Sequence, residues 1–418
     1  MKKIKLVLVA VMLLNLVILV SCTITPPQSG PFKVTFESNG GTKIESVIVE
    51  RRETIDLPIP EKEGLHFHGW FKDSIFTEKF TNKNEVIEDI TLYAKWSEYI
   101  LISNFSDLEN IKNDLTEKYI LESDIDCLNV PFRTIADSLD TPFTGELNGD
   151  GYSLINFNIA NNSGGMFFSL IGYNKGTIKN LNIKNSSITL ESKYEHAIIY
   201  TGTFVGLNEG IVEKCQALDI SISSTNTNSG SKYGDSEAAL RTSLIVGTNA
   251  GTIKNCVAVG SVISYNKSLS KVYYIRAAGI AGENQGFIEN CFVNVNATST
   301  GYYKYTQGML VKSGNTGEAG GIAAVNEKDA TIEYCLVVGS FNGSYRDGDV
   351  CYRNSGLVAY CYRGNEVDTS NLYTVSTGLA DESTLKDKYF YRDSLHWDEE
   401  IWDYSNVNID EGKYPSIK

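Results

Sequence analysis

Familiar catalytic machinery is missing from this 418-residue chain. It has no His-Glu-x-x-His, no Gly-x-Ser-x-Gly and no Gly-rich phosphate loop ending in Gly-Lys-Ser/Thr, which removes the commonest sequence signals of metalloproteases, serine hydrolases and nucleotide-binding enzymes. Histidine is scarce: the four are His66, His68, His196 and His396. His66 and His68 share one face of a candidate strand, but two ligands without a third make no metal centre, and no Cys-x-x-Cys occurs. Basic charge is also short, with 37 Lys and Arg against 51 Asp and Glu and a net charge of -14. Such a surface argues against nucleic acid as a partner and against electrostatic adhesion to anionic lipid. The one long apolar run, Leu6 to Val20, is short for a membrane span.

That run follows Lys2, Lys3 and Lys5 and ends in Leu19-Val20-Ser21-Cys22. A basic start, an apolar core and a small-residue exit read as a signal peptide over 1–21. The last four residues resemble a bacterial lipobox, which implies cleavage before Cys22 and lipidation of its thiol. Residues 22–31, with two Thr and three Pro, then form a tether. Removal of the signal takes away three Lys and no acid, so the charge moves from -14 to -17. The remaining chain is long enough for more than one domain. The expected location is extracytoplasmic, on a bacterial membrane through the lipid.

Residues 32–97 carry strand and turn signals. Val34-Thr-Phe36 alternates, Asn39-Gly-Gly41 is a tight turn, Ile44 to Val49 is a second strand, and Phe67-His-Gly-Trp-Phe71 and Ile90-Thr-Leu-Tyr-Ala-Lys-Trp96 are further strands. Three blocks, Val34 to Gly41, Glu63 to Phe71 with Asp73, and Ile90 to Trp96, together resemble a Listeria–Bacteroides repeat, the internalin-type B repeat. The resemblance implies a small β-grasp-like domain used in bacterial surface proteins as a spacer or interaction unit. A domain of this size needs Trp70, Phe71 and Trp96 for its core.

Beyond it the chain repeats. Asn174, Asn208, Asn249, Asn284 and Asn326 each follow a small and aliphatic run, and they stand 34, 41, 35 and 42 residues apart. A Gly usually comes two residues after the Asn. Cys215, Cys256 and Cys291 come seven residues after it, and Cys335 nine residues after Asn326. Repeats of this period stack units that bury a shared core. The Asn side chains should bond up a turn as a ladder. The four Cys should line the interior as small hydrophobes with free thiols, since in-register side chains point the same way and suit disulfide geometry poorly. Near the end, in Gly356-Leu-Val-Ala-Tyr-Cys361, Cys361 stands where the Asn is expected, which marks a degenerate coil. These repeats resemble the GLUG motif family, in Gly279-Ile-Ala-Gly282 and Gly356-Leu-Val-Ala359. The resemblance implies a right-handed parallel β-helix in bacterial surface and secreted proteins.

The predicted fold is therefore all-β: the small domain at 32–97, then a β-helix over 98–383. A helix over Phe105 to Leu115, capped by Ser106 with Glu109 at its third position, covers the first coil within the cap region 98–118. An aromatic and acidic tail over 384–418, with Trp397 and Trp402, plugs the last coil. Variable segments, from Glu191 to Thr201, Thr225 to Arg241, Tyr265 to Arg276, Thr298 to Glu318 and Asn342 to Arg353, fall at one phase of the repeat and should emerge on one side. Insertions on one face of a solenoid often make its binding surface, and these hold Tyr233, Tyr273, Tyr274, Tyr302, Tyr303, Tyr305 and Tyr345. The alternative for these tyrosines is that they belong to longer strands and pack on one another.

The expected role is non-enzymatic and adhesin-like, with a glycan or extracellular protein held along the insertion side, no cofactor and no resident metal. The oligomeric state is not specified by the sequence. A β-helix polysaccharide lyase or glycosidase is one alternative, with Asp124 and Asp126, Asp150, or Asp347 and Asp349 as candidate carboxylates. Asp347 and Asp349 are also candidates for weak calcium binding. A structural spacer is the other alternative.

Overall fold

The computed structural model describes residues 30–159, 165–192, 198–227, 238–266, 272–301, 317–343, 346–364, 372–373 and 376–418. They form two compact units that divide after Glu98. The first is a five-stranded sheet of β1 (Phe32–Glu37), β2 (Val47–Val49), β3 (His66–Phe71), β4 (Lys79–Phe80) and β5 (Ile90–Ser97), in the order β2-β1-β5-β3-β4. The central pair β1 and β5 is parallel and the other pairs are antiparallel, the β-grasp arrangement of strands without a helix. Asn39 and Gly40 both take positive φ, as a tight hairpin turn requires. Trp70 fills the core with Val34, Phe36 and Leu92, and its ring N–H donates to the Pro58 carbonyl at 2.8 Å. Trp96 stays partly buried and donates to the Ser38 carbonyl at 2.8 Å.

The second unit is a parallel β-helix. The coil after Asn249 shows its cross-section: Thr252–Lys254, then the long strand Val257–Asn266, then Val272–Ala278, then Ala281–Asn284. Stacking repeats these four strands into sheets of nine, eleven, seven and six strands, called here sheets 1 to 4 in the order the chain visits them. Side chains pointing inward make one continuous apolar core from Ile102 to Cys361.

Three rows of identical chemistry hold the coils in register. In the first, each Asn amide donates to the Asn carbonyl oxygen of the next coil: Asn174 to Asn208 at 2.7 Å, Asn208 to Asn249 at 2.8 Å, Asn249 to Asn284 at 2.9 Å, Asn284 to Asn326 at 2.8 Å. Asn326 continues it to Asn354 at 2.9 Å. In the second, a glycine two residues on lies so close to the coil below that a Cβ on Gly210 would stand 2.1 Å from the Gly176 carbonyl oxygen, and one on Gly251 2.2 Å from that of Gly210. The third row is Cys215, Cys256, Cys291, Cys335 and Cys361, whose thiols each donate to the carbonyl two residues back at 3.2–3.3 Å. All seven described cysteines are free and buried, and burial pushes the Cys215, Cys291 and Cys335 thiols up. The residue before each row cysteine has a left-handed backbone, as at Asn255 and Asn290 (φ 52), a conformation Asn tolerates best after Gly.

Three expectations are corrected. The sixth coil is not degenerate. Asn354-Ser-Gly356 is its Asn and Gly, and Cys361 stands seven residues later in the cysteine row. The capping helix, α1 (Phe105–Asn110), is shorter than expected and is capped by Asn104, not Ser106. The Asn104 side chain accepts from the Asp107 N–H, and the Asp107 carboxylate accepts from the Ser103 N–H at 2.9 Å. A 3-10 turn, Ile111–Asn113, completes it, and Leu108 and Ile111 enter the core.

Third, the tail lies along the outer face of sheet 2 and does not simply stop the last coil. It is led in by the helix α2 (Glu382–Lys386), capped by Asp381, whose carboxyl is held at about 2 by the Thr384 N–H and neighbouring hydroxyls. Tyr391, Trp397, Trp402 and Tyr404 then pack on Val257, Phe292, Leu336 and Val338. Trp397 and Trp402 stack at 4.0 Å. Trp397 donates to the Tyr334 carbonyl at 2.9 Å and Trp402 to Asn255 at 3.2 Å. The Ile417 N–H reaches Gln216 at 3.2 Å, so the strap runs back across several coils.

The Asn row is a buried polar network whose members satisfy one another. Asn249→Ala removes the shortest partner of the Asn208 amide and of the Asn284 side-chain oxygen, leaving the longer bonds to Gly210 and Gly286, and should cost about 2 kcal/mol. Asn354→Ala, at the solvent-exposed end of the row, should cost clearly less in the same urea denaturation series. Trp402→Ala should cost about 3–5 kcal/mol through the cavity left under the strap.

Candidate functional site

Sheets 3 and 4 meet at a concave corner. The second residue of the sheet 4 strands is glycine in four coils, Gly172, Gly206, Gly247 and Gly282. A Cβ on Gly206 would stand 2.6 Å from the Phe167 ring, and one on Gly282 2.8 Å from the Thr242 nitrogen. Lacking side chains there, the corner closes tightly, and the outward residues of both sheets converge over it.

Two rows of side chains face each other across this corner. On sheet 3 the register runs Phe167, Tyr200, Arg241, Arg276, Glu318. On sheet 4 it runs Tyr173, Leu207, Thr248, Glu283, Val325, Arg353. The first two coils fill the corner with an apolar cluster of Phe167, Tyr173 and Tyr200, the rings of Phe167 and Tyr200 stacked at 5.2 Å. The following coils fill it with ions.

Arg241 begins the change. Its guanidinium lies over the Tyr200 ring at 5.7 Å, donates to the Thr248 hydroxyl at 3.3 Å and reaches Glu283 Oε2 at 2.9 Å. Arg276 is 2% exposed, pairs with the same Glu283 oxygen, and donates from Nε to Glu318 Oε2 at 3.0 Å. Glu283, 3% exposed, also accepts from the Gln285 amide. Burial lowers the proton affinity of Arg241 and Arg276 and raises that of Tyr200. Arg241 Nε is buried without a hydrogen-bond partner. At the solvent side, the Tyr274 ring lies under both Arg276 at 4.9 Å and Arg353 at 5.8 Å. Arg353 in turn pairs with Glu327 at 2.9 Å. Tyr274 is 39% exposed.

This corner lies where the strands of sheet 3 follow the variable segments. Of the tyrosines expected there, Tyr274 belongs to the corner. Tyr273 lies on the same strand, Val272–Ala278, with its side chain outside the described residues. Tyr233, Tyr302, Tyr303, Tyr305, Tyr345 and Cys22 also lie outside them. The described ends of the presumed insertions are strand: Tyr200 and Tyr265 sit on Ile198–Thr201 and Val257–Asn266. The sequence reading missed Arg241, Arg276, Glu283 and Glu318. A signal for one was present: the residue before the repeat Asn is Tyr, Leu or Thr in the first three copies and Glu283 in the fourth.

Three of the five carboxylates weighed for catalysis, Asp124, Asp126 and Asp349, accept from the backbone. Asp124 accepts from the Ser153 N–H at 2.7 Å, and Asp126 accepts from the Leu128 N–H and the Asn156 amide at 2.9 Å. Asp349 is fully buried, accepts from the Val350 and Ser376 N–H groups at 2.7 and 3.3 Å, and lies 3.7 Å from Arg363. It is not an open calcium ligand. A polar groove of about 560 Å³ runs along the glycine row beside Glu146 and Glu209. Burial works against the Glu146 charge, but hydrogen bonds from Lys179 and Tyr99 hold its carboxyl below the ordinary range. Glu209 pairs with Lys175 at 3.2 Å.

Comparison with known proteins gives a family for the first unit: residues 32–95 match the Listeria-Bacteroides repeat domain. Two proteins of Evansella cellulosilytica are similar to parts of the chain. One, named "Putative membrane protein", is 38% identical over 98 residues, 22% of this chain and 15% of that protein. The other, named "Putative Gly-rich membrane protein", is 45% identical over 67 residues, 16% of this chain and 8% of that protein. Halomucin of Haloquadratum walsbyi is 31% identical over 130 residues, 28% of this chain and 1% of that protein. The chain thus spans a small part of each of these relatives. Among solved structures, a "putative immunoglobulin A1 protease" from Bacteroides ovatus aligns over 77% of this chain and 92% of its own, with a TM-score of 0.49 and 18% identity.

The ion network makes a sharp energetic prediction. Arg276→Ala leaves Glu283 and Glu318 buried with fewer partners, and should cost about 3–5 kcal/mol in denaturant unfolding. Tyr200→Phe, in the apolar part of the same corner, should change stability by less than about 1 kcal/mol.

Proposed function

We propose that the chain is a lipid-anchored surface protein, adhesin-like and non-enzymatic, that holds a glycan or protein ligand along the insertion side of its β-helix. The anchor would be the Cys22 thiol after signal cleavage. The Listeria–Bacteroides repeat would act as a spacer between the membrane and the solenoid, and the GLUG-like coils would present the binding side.

One observation carries this reading. At two facing register positions the fold accepts Phe167, Tyr173 and Tyr200 in its first coils, yet takes in Arg241, Arg276, Glu283 and Glu318 in the next. Buried ions are rarely the most stable filling of such a space, and apolar residues of similar volume often do as well or better. Their retention points to a use beyond folding. Tyr274 and Arg353, layered on the network and accessible, supply the ring face and guanidinium that recognition surfaces favour.

The test is a screen of the full chain against immobilised glycans and extracellular-matrix proteins, run beside a Tyr274→Ala, Arg353→Ala variant. Specific binding that falls at least tenfold in the folded variant supports the reading. Binding that is unchanged contradicts the site, and turnover of a polysaccharide would contradict the non-enzymatic role. Conversion of Cys22 to Ser should release the chain from the membrane fraction.

A further inference from the structure

The outer face of sheet 1 is a flat strip, one short strand per coil, far from the variable segments in the order of the coil. One column along it reads Lys179, Glu213, Lys254, Glu289, Glu333 from coil to coil. Its lower part is neutralised by alternation. Lys179 lies 2.7 Å from Glu146, and Lys254 lies 3.0 Å from Glu213. After Glu289 the alternation fails. Glu289 and Glu333 are direct neighbours on strands about 4.8 Å apart, an arrangement of like charges that weakens a sheet. Among the described residues neither has a basic partner within ion-pair distance. Burial and the Glu289 charge push the Glu333 carboxyl up.

The pair is bordered by rings and exposed apolar side chains. Tyr334 and Tyr360, on successive coils, stack at 4.9 Å with planes 3° apart, and His396 of the strap stacks on Tyr334 at 5.0 Å. Tyr360 is 52% exposed. In the neighbouring column Phe287 and Leu357 are 56% and 54% exposed, with Thr331 between them. Exposed apolar side chains scattered singly are ordinary, but these adjoin two unpaired carboxylates on three consecutive coils.

The chemistry selects the occupant. A divalent cation needs more oxygen ligands than two carboxylates offer, and no group of three or more metal-binding side chains occurs among the described residues. Such an ion would also gain nothing from the rings. An ammonium or guanidinium on an aliphatic stem uses every part: the carboxylates accept its N–H groups, the exposed Tyr360 ring offers its charge a face, and Phe287 and Leu357 take up apolar neighbours. The acidic charge of the whole chain would steer such a partner in.

We propose that the upper end of sheet 1, centred on Glu289, Glu333, Tyr334 and Tyr360, is a docking surface for a partner protein presenting a lysine or arginine among apolar residues. It is a second surface, independent of the insertion side.

The test measures binding of acetyl-Leu-Lys-Leu-Phe-amide to the immobilised full chain, beside the same peptide with norleucine in place of lysine. The lysine peptide should bind at least tenfold tighter, and its advantage should shrink as sodium chloride is raised. Glu289→Gln with Glu333→Gln should abolish the lysine preference without lowering the thermal midpoint, because the change relieves like-charge repulsion. Tyr360→Ala should weaken the lysine peptide, whereas Tyr274→Ala should leave it unchanged. Equal affinity for the two peptides up to millimolar concentration overturns the proposal. So does a lysine preference that survives the double substitution. Stoichiometric calcium binding, lost in that variant and unaccompanied by peptide binding, overturns it in favour of a metal site.

Discussion

Everything in the β-helix depends on stacking in register. A single coil leaves its backbone N–H and C=O groups unpaired, and only a neighbour of the same shape satisfies them. The Asn, Gly and Cys rows meet that demand in three ways. The Asn amides bridge coil to coil at 2.7–2.9 Å. The glycines allow a backbone approach that any Cβ would block. The cysteines fill a narrow part of the interior with side chains too small to force the coils apart. Because these inward and corner positions carry the fold, outward positions are free to change from one coil to the next.

That freedom produces gradients along the axis. At the concave corner the filling passes from rings to ions along two facing rows, and on the outer face of sheet 1 it passes from alternating charge to paired acid. Both transitions occur with no change in the backbone plan. In an ordinary core, a buried Arg beside two Glu would have to be explained by the fold. Here adjacent coils show that the fold does not require it. The strap adds a third layer: by covering the apolar outer face of sheet 2 with Trp397, Trp402 and Tyr404, it removes a long exposed patch that would otherwise invite association.

The sequence disclosed the parts that repeat and concealed those that do not. The five Asn and four Cys were legible because copies 34 to 42 residues apart preserve both the residue and its offset. Asn354 was missed because it follows Asn326 by only 28 residues, a shorter coil than the others, although its Gly at two residues and Cys at seven follow the pattern. Asn104 was passed over for Ser106 because two capping residues compete within three positions, and the one with Asp107 at its third position satisfies more donors. The path of the strap depends on contacts between residues as distant as Gln216 and Ile417, which no local pattern encodes. The corner was half legible. Tyr274 was expected for its type, while Arg241, Arg276 and Glu318 become neighbours only once the register of sheet 3 is known.

The central claim is that the buried ions of the corner serve recognition and not stability. The most direct measurement compares the parent chain with a variant in which the whole set is replaced, Arg241→Leu, Arg276→Leu, Glu283→Leu and Glu318→Leu, scoring unfolding free energy and ligand binding on the same samples. The account predicts unfolding within about 1 kcal/mol of the parent or higher, together with loss of binding at the insertion side. A variant that binds as the parent does, or that unfolds while binding is carried elsewhere, would contradict it.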